Sequence, residues 1–308
     1  MKRDKQNFIK KAHNLIPDCI FRLIPDRQYI KLLYFYSYGK FPDLKNPKTF
    51  DEKLQWYKLY YRKPEMTALA DKFEVRKYVE GKNLGHILNE LYFVKDKLEI
   101  EDFEALPDSY VIKTTHGCDM NVIKDTSDDK NIARNIKLVN KWLKINHYYH
   151  GREWSYKSIK PQVICEKYLK NKEFGELIDY KFYCFNGKPD VVFACAGRFS
   201  EDGVGYNAYD MDWNKVDVYK GKPTVDIEFK KPENFDEMKE TAKVLAGDYP
   251  FIRVDLYSIE GKTIFGELTF YPDSGIIPFT PDEYNYYLGN LFKINKSGIL
   301  AKGYRSKN

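Results

Sequence analysis

The chain has 308 residues, of which 43% are hydrophobic, 16% aromatic and 31% charged. That balance supports a sizeable core, in one large domain or two to three associated lobes, and excludes an extended disordered chain. No apolar run reaches the roughly 18 residues of a membrane-spanning helix, and the basic N-terminus MKRDKQNFIKKAHNL does not read as a secretory signal.

Five cysteines (Cys19, Cys118, Cys165, Cys184, Cys195) are scattered without a CxxC pair. Free thiols in a reducing cytoplasm are therefore expected. The net charge is +6, and it is concentrated at the ends: residues 1–40 carry nine Lys/Arg against three Asp/Glu, and residues 291–308 carry five Lys/Arg and no acid. Basic ends with interleaved apolar residues suit peripheral contact with an anionic membrane face. The pattern favours the plainer reading of a solvated amphipathic helix docked on the body.

In chain order, residues 5–40 read as helical and aromatic-rich, closing at Gly39–Pro42. Thr49 opens a second helix, with Glu52 completing a capping box. Pro64 stops it, and another helix is expected through MTALADKFEVRKYVEG, ending at Gly81. From Tyr110 the pattern turns to short β-type runs: YVIKTT and NVIKD form a hairpin around the loop HGCDM. A helix of about 18 residues follows over DDKNIARNIKLVNKWLKINH. QVICEKYL, DYKFYCFNG and PDVVFACAGRF read as strands, Asn234–Gly247 as a helix, and FIRVDLYSIEGKTIFGELTF as a hairpin. Thr280 at the cap and Pro281 at the first position open a last helix. The whole is α+β, without regular βαβ alternation.

The hairpin at 251–270 is the most informative segment. Arg253, Asp255 and Tyr257 lie on one face of the first strand, and Phe265, Glu267 and Thr269 on one face of the second. With a three-residue turn at 260–262, Ile259 pairs with Thr263 and Asp255 falls opposite Glu267, with Arg253 opposite Thr269. Facing carboxylates repel by about 0.2–1 kcal/mol unless a cation bridges them. Magnesium is the cation such hard oxygens suit. Alternation alone leaves this pair equally open to a solvated polar face.

Other positions carry weaker signals. Lys113 sits in an apolar strand before the loop His116–Met120 and could reach a phosphate held by that loop. With one glycine, Gly117, the loop is a weak phosphate cradle, and a Lys113 that snorkels to solvent is equally open. Glu166 ends a strand ahead of Lys167, Tyr168 and Leu169, where free backbone groups can read a base edge. Lys181 is a cation in an aromatic strand. Asp210 and Asp212 form a DxD pair of the kind nucleotide-sugar glycosyltransferases use for a metal. Arg152, Trp154 and Tyr156 suit a stacking platform or, more simply, core packing. No basic stripe with stacking aromatics is present, so no nucleic-acid partner is expected.

Read together, NPKTFDEKLQWYKLY (46–60), DKFEVRKYV (71–79), LPDSYVIKTTHG (106–117), GREWSYKSIKPQVICEKYL (151–169), DYKFYCFNGKP (179–189), YDMDWNK (209–215) and FIRVDLYSIEGKTIFGELTFYPDSG (251–275) resemble the TupA-like branch of the ATP-grasp superfamily. Its members are encoded with bacterial cell-surface polysaccharide genes. The resemblance implies two α+β lobes clasping ATP: a helical region over 1–70, an N-terminal lobe over 71–165, a C-terminal lobe over 166–292 and a basic tail over 293–308. It implies that Lys113 and the loop at His116 and Gly117 contact phosphates, that Glu166, Lys167 and Leu169 hold the adenine, and that Lys181 reaches the phosphates. Asp255 and Glu267, with Thr269 beside them, would ligate Mg2+, and Arg253 would stabilise the transition state. Lys72 is a further candidate for nucleotide contact. Thr269 stands where ATP-grasp ligases usually place Asn, which leaves a second magnesium open. The implied activity is an ATP-dependent carboxylate–amine ligase acting through an acylphosphate, on a uronic acid of a surface glycan and an amine. A glycosyltransferase using Asp210 and Asp212, and a non-catalytic ATP-grasp scaffold in a polysaccharide assembly complex, are the alternatives.

Overall fold

The computed structural model describes residues 22–125, 131–170, 177–196, 205–221 and 228–295. The expected helical stretch before residue 22 and the basic tail after 295 lie outside them.

Helix α1 (Asp26–Tyr38) ends at Gly39, whose left-handed φ of 72° closes the last turn through its N–H to the Phe35 carbonyl. Helix α2 (Phe50–Tyr60) starts at the predicted capping box: Thr49 Oγ1 accepts from Glu52 N, and the Glu52 carboxylate accepts from Thr49 N. Its Phe50, Leu54 and Tyr57 are fully buried, with Phe50 edge-on to Phe251. The expected single helix over 66–81 is broken into α3 (Glu65–Ala70) and α4 (Val75–Gly81). Asp71 is the cause: its backbone is extended, and its Oδ1 accepts the N–H groups of Phe73 and Glu74.

Strands β1 (Leu91–Lys95), β2 (Tyr110–Thr114) and β3 (Asn121–Lys124) precede α5 (Ile132–Trp142), shorter than the helix expected there, and the single turn α6 (Tyr148–Gly151). With β4 (Val163–Lys167) the three strands make a four-stranded antiparallel sheet in the order β1-β4-β2-β3. Its own small core contains Tyr110, Ile112, Val139, Val163 and Cys165.

A six-stranded antiparallel sheet follows. It is built from β5 (Asp179–Phe185), β6 (Lys188–Ala196), β7 (Gly205–Tyr209) and β8 (Lys215–Val216), and from a later hairpin. A short β9 (Tyr219–Lys220) and helix α7 (Phe235–Ala246) come between them. The hairpin is β10 (Phe251–Ile259) and β11 (Lys262–Thr269), giving the order β11-β10-β5-β6-β7-β8. Helix α7 packs on one face of this sheet, where Ile252, Val254 and Leu256 are fully buried. The opposite face is apolar at the Phe251–Phe185 end, against Phe50, and polar around Arg253 and Asp255. Strand β12 (Phe279–Thr280) pairs with β9, and α8 (Asp282–Leu291) closes the fold. Thr280 is not the cap of α8, because it is spent in β12 opposite Tyr219; Pro281 takes that position without a side-chain cap bond.

The hairpin register differs from the expected one in two places that compensate. The turn has two residues, Glu260 (φ 50°) and Gly261 (φ 72°), so Ile259 pairs with Lys262. A bulge then inserts Gly266 between the pairs Leu256–Phe265 and Asp255–Glu267. Phe265 therefore pairs with Leu256 and is buried, and Ile264 comes opposite Tyr257. A Cβ on Gly266 would stand 2.8 Å from the Asp255 carbonyl oxygen and 3.2 Å from the Tyr257 ring. Gly266→Ala is expected to cost about 1–3 kcal/mol in urea unfolding; unchanged stability would contradict the bulge.

Candidate active site

The ladder places Asp255 opposite Glu267 on one side and opposite Lys181 on the other, and Arg253 opposite Thr269. Asp255 is 2% exposed, so its charge requires partners. Arg253 supplies them as a fork: Nε donates to Asp255 Oδ1 at 2.7 Å, and Nη2 donates to Asp255 Oδ2 at 2.7 Å and Glu267 Oε1 at 2.8 Å. Lys181 Nζ adds a bond of 2.8 Å to Asp255 Oδ2 and one of 3.2 Å to Asp179 Oδ2. Thr269 Oγ1 donates to Glu267 Oε1 at 3.0 Å and accepts from Arg253. Burial works against the charged carboxylate of Glu267, but Arg253, Lys72 and Lys181 outweigh it and draw its pKa down to about 2. Burial likewise opposes the charge on Lys181, but the Asp255 carboxylate, with smaller contributions from Cys195 and Glu267, leaves its pKa above the ordinary value.

Two residues further along β10, Tyr257 joins Phe265 and Gly266 of β11 to form one wall of a cleft. Its other wall is the four-stranded sheet, through Val111, Lys113, Ile123 and Glu166, with Lys167, Tyr168 and Leu169 at its edge. In the register Val111 faces Glu166, which brings Lys113 onto the same face, and Lys113 Nζ donates to Glu166 Oε2 at 2.7 Å. Arg76 of α4 reaches the other oxygen of Glu166 at 3.4 Å and also donates to the Asn89 carbonyl. The backbone of Lys167 is less open than the sequence suggests. Its N–H donates to the Glu90 carbonyl, and its carbonyl accepts from Asn89 Nδ2. The open strand-end groups at this edge therefore belong to residues after Lys167.

The loop between β2 and β3 is tied down by Lys72, whose N–H donates to the Thr115 carbonyl and whose Nζ donates to the Gly117 carbonyl. The loop is close-packed at Gly117: a Cβ there would meet the flexible end of Met120, at Cε, at 2.1 Å and the His147 ring at 3.2 Å. His116 is 2% exposed and its Nε2–H donates to the Trp142 carbonyl, so its imidazole anchors the loop to α5 and only its backbone is left for a ligand. Cys118 Sγ lies 3.1 Å from His147 Nε2, a pair the sequence did not reveal. Burial pulls His147 down to about 3, so the imidazole is neutral.

Beyond Thr269 the chain runs through Asp273 (φ 50°), Ser274 (φ 57°) and Gly275 (φ 59°), three consecutive left-handed residues. Gln55 Nε2 donates to the carbonyls of Ser274 and Gly275, Lys58 Nζ donates to the Ser274 carbonyl at 2.6 Å and to its hydroxyl at 2.9 Å, and Lys220 Nζ donates to Asp273 at 2.7 Å. Sequence reasoning missed Arg76, Lys58 and Lys220; only Lys58 carried a signal, as a cation in the aromatic-rich stretch LQWYKLYY. Arg152, 1% exposed, packs among the rings of Tyr29, Tyr148 and Tyr149, which is core and not a platform. Asp210 is spent in its own turn: Oδ1 accepts the N–H groups of Asp212 and Asn214, and Oδ2 accepts from Asn214 Nδ2.

The donor set around Asp255 and Glu267 suits magnesium. Both side chains offer hard carboxylate oxygens and face one another, and Arg253 bonds to both. Glu267 bonds through Oε1, while 37% of its side chain remains exposed to an arriving ion. Among the described residues no group of three or more His, Cys, Asp or Glu could hold a metal, so water and phosphate oxygens would complete the shell.

Comparison with known proteins bears on the fold. The chain is similar to D-alanine–D-alanine ligase from Bacillus anthracis complexed with ATP, at 14% identity over 66% of this chain and 55% of that one, with a TM-score of 0.40. It is similar to L-amino acid ligase from Bacillus licheniformis, at 15% identity over 77% and 51%, with a TM-score of 0.44. It is also similar to the ATP-grasp ligase PsnB complexed with its minimal precursor, Mg and ADP, at 14% identity over 71% and 57%, with a TM-score of 0.36. The chain thus spans between 51% and 57% of the length of these ligases. No curated protein matches it. The family model for TupA-like ATPgrasp matches residues 52–293, which include every site residue described above, and the chain belongs to the TupA-like ATP-grasp family, with its ATP-grasp fold.

Proposed function

We propose that this protein is an ATP-dependent, ADP-forming carboxylate–amine ligase that works through an acylphosphate. Its substrates on this reading are a uronic-acid carboxylate of a bacterial surface polysaccharide and an amino acid or other amine, joined in the cytoplasm. The observation that carries the reading is Asp255 directly opposite Glu267, with Arg253 and Lys181 bonded to them, beside the Lys113–Glu166 cleft. Free Cys118, Cys165, Cys184 and Cys195 accord with a reducing compartment. The choice of polysaccharide and uronic acid is our inference from the company this family keeps among polysaccharide genes.

The residues divide the work along the hairpin. Apolar Val111 and Ile123 with Tyr168 and Leu169 line the part of the cleft that suits a base. Lys113, with 29% of its side chain exposed, can turn from Glu166 to a phosphate. Magnesium held by Asp255 and Glu267, with Thr269 beside them, would neutralise and orient phosphate oxygens. Arg253 and Lys181 are the cations within reach of a transferring phosphoryl group, and they stabilise the charge that develops on it. In the reaction, a carboxylate oxygen attacks the terminal phosphorus and the bond to ADP breaks. The amine then attacks the acyl carbon, and phosphate leaves as the nitrogen loses its proton. The glycosyltransferase reading loses its support, because Asp210 is committed to a turn.

Incubation with Mg-ATP and a panel of uronic acids and amines should release ADP and phosphate only when both partners are present. Turnover of a nucleotide sugar without ATP use would overturn the reading. Glu267→Ala is expected to lower ADP release by about 10²–10³-fold; intact turnover would mean the site lies elsewhere. Arg253→Met removes the resident cation, so nucleotide-free protein should bind Mn2+ about tenfold more tightly by electron paramagnetic resonance. Equal affinity in the two proteins would show that the guanidinium does not hold the metal position.

A further inference from the structure

We propose that the outward face of α1 docks on an anionic lipid surface. Helix α1 is apolar on two sides. Tyr29, Ile30, Leu33 and Tyr34 are buried against the body, as an amphipathic helix requires. On the other side Leu32 is 55% exposed and Phe35 45%, and Phe41, 57% exposed, stacks on Phe35 with ring centroids 4.8 Å apart. A single exposed leucine is ordinary on a protein surface. A stacked aromatic pair beside a further leucine on one helix face is a patch that calls for a partner.

The charge around the patch identifies that partner's chemistry. Arg27 and Lys40 are exposed and Lys31 is half-buried, and none of the three is paired with a carboxylate among the described residues. The one acid of α1, Asp26, is turned away and neutralised by Arg62 at 3.1 Å and Arg152 at 3.5 Å. In the following loop, Asp43 accepts the N–H groups of Lys45 and Asn46. What remains is phenyl and isobutyl groups bordered by unpaired cations. A bilayer rich in anionic headgroups matches both parts: the acyl boundary takes the apolar side chains, and each basic residue near the surface contributes about 1 kcal/mol. No helix among the described residues is long and apolar enough to cross a membrane, so the contact is peripheral. It stands independently of the ligase reading, because none of these residues belongs to the cleft.

The test is co-sedimentation of the full chain with phosphatidylcholine vesicles, with and without phosphatidylglycerol. The wild type should bind only the phosphatidylglycerol vesicles, and less as salt rises. Leu32→Asp with Phe35→Asp should lower the bound fraction roughly tenfold with ATP turnover unchanged. Lys31→Glu with Lys40→Glu, which keeps the apolar side chains, should lower it several-fold and decides the matter if the first variant fails to fold. Failure of the wild type to bind would overturn the proposal. So would undiminished binding by both variants, which would place the contact at the basic termini. So would a dimer that Phe35→Asp dissociates without any vesicle binding, since the face would then hold a second copy of the chain.

Discussion

The polar face of the large sheet depends on one guanidinium. Asp255 is almost wholly buried and faces a second carboxylate across the ladder, an arrangement that costs free energy if left alone. Arg253 resolves it with a planar fork that meets both acids, which the single ammonium of a lysine would not do. Burial disfavours the charge on that guanidinium, yet Asp255 and Glu267 hold its pKa well above the ordinary value. The surrounding charges balance: Arg253, Lys181 and Lys72 act on Asp179, Asp255 and Glu267. A divalent cation placed on the two facing carboxylates would set organic cations free for phosphate oxygens. The same residues can therefore serve a closed ionic cluster and an open polyphosphate site.

The strained loop after β11 is linked to this cluster through α2. Three successive left-handed residues, two of them not glycine, persist only where the surroundings over-determine them. Here Gln55 and Lys58 of α2 grip the carbonyls of Ser274 and Gly275, and a Cβ on Gly275 would stand 2.6 Å from Gln55 Nε2. Lys58 is fully buried; burial draws its pKa down to about 8, with Glu153 and Asp51 acting to hold it up. The same helix is fixed at its start by the Thr49–Glu52 box and in the core by Phe50. Helix capping near residue 49 thus supports the backbone that immediately follows the Glu267 strand.

The opposition of Asp255 and Glu267 was legible because alternation is a property of the strand and survives small errors in the turn. The assumed turn was one residue too long and the bulge was not foreseen, and the two errors cancelled. A signal for the bulge was present, since a lone glycine inside a strand marks one; Gly266 was read as an ordinary member of the alternation. The consequence fell on the stretch between turn and bulge, where Thr263, Ile264 and Phe265 each pair one residue earlier in β10 than expected. The Lys113–Glu166 contact was not legible, because it joins strands 53 residues apart whose register no local pattern fixes. Thr280 misled for a similar reason: its cap chemistry is sound, but tertiary pairing with Tyr219 claims it first.

Strand β10 acts as a ruler for the site. Tyr257, Asp255 and Arg253 share one face at every second residue, so they stand about 6.7 Å apart in sequence along the strand. The Tyr257 end lines the cleft, the Arg253 end lies near Asp273 and Glu153, and Phe251 beyond it is sealed into the core by Phe50. A ligand lying along this face meets apolar wall first, then carboxylates, then a guanidinium. That sequence of environments matches a base, a metal-bound phosphate chain and a developing anionic charge, in that order.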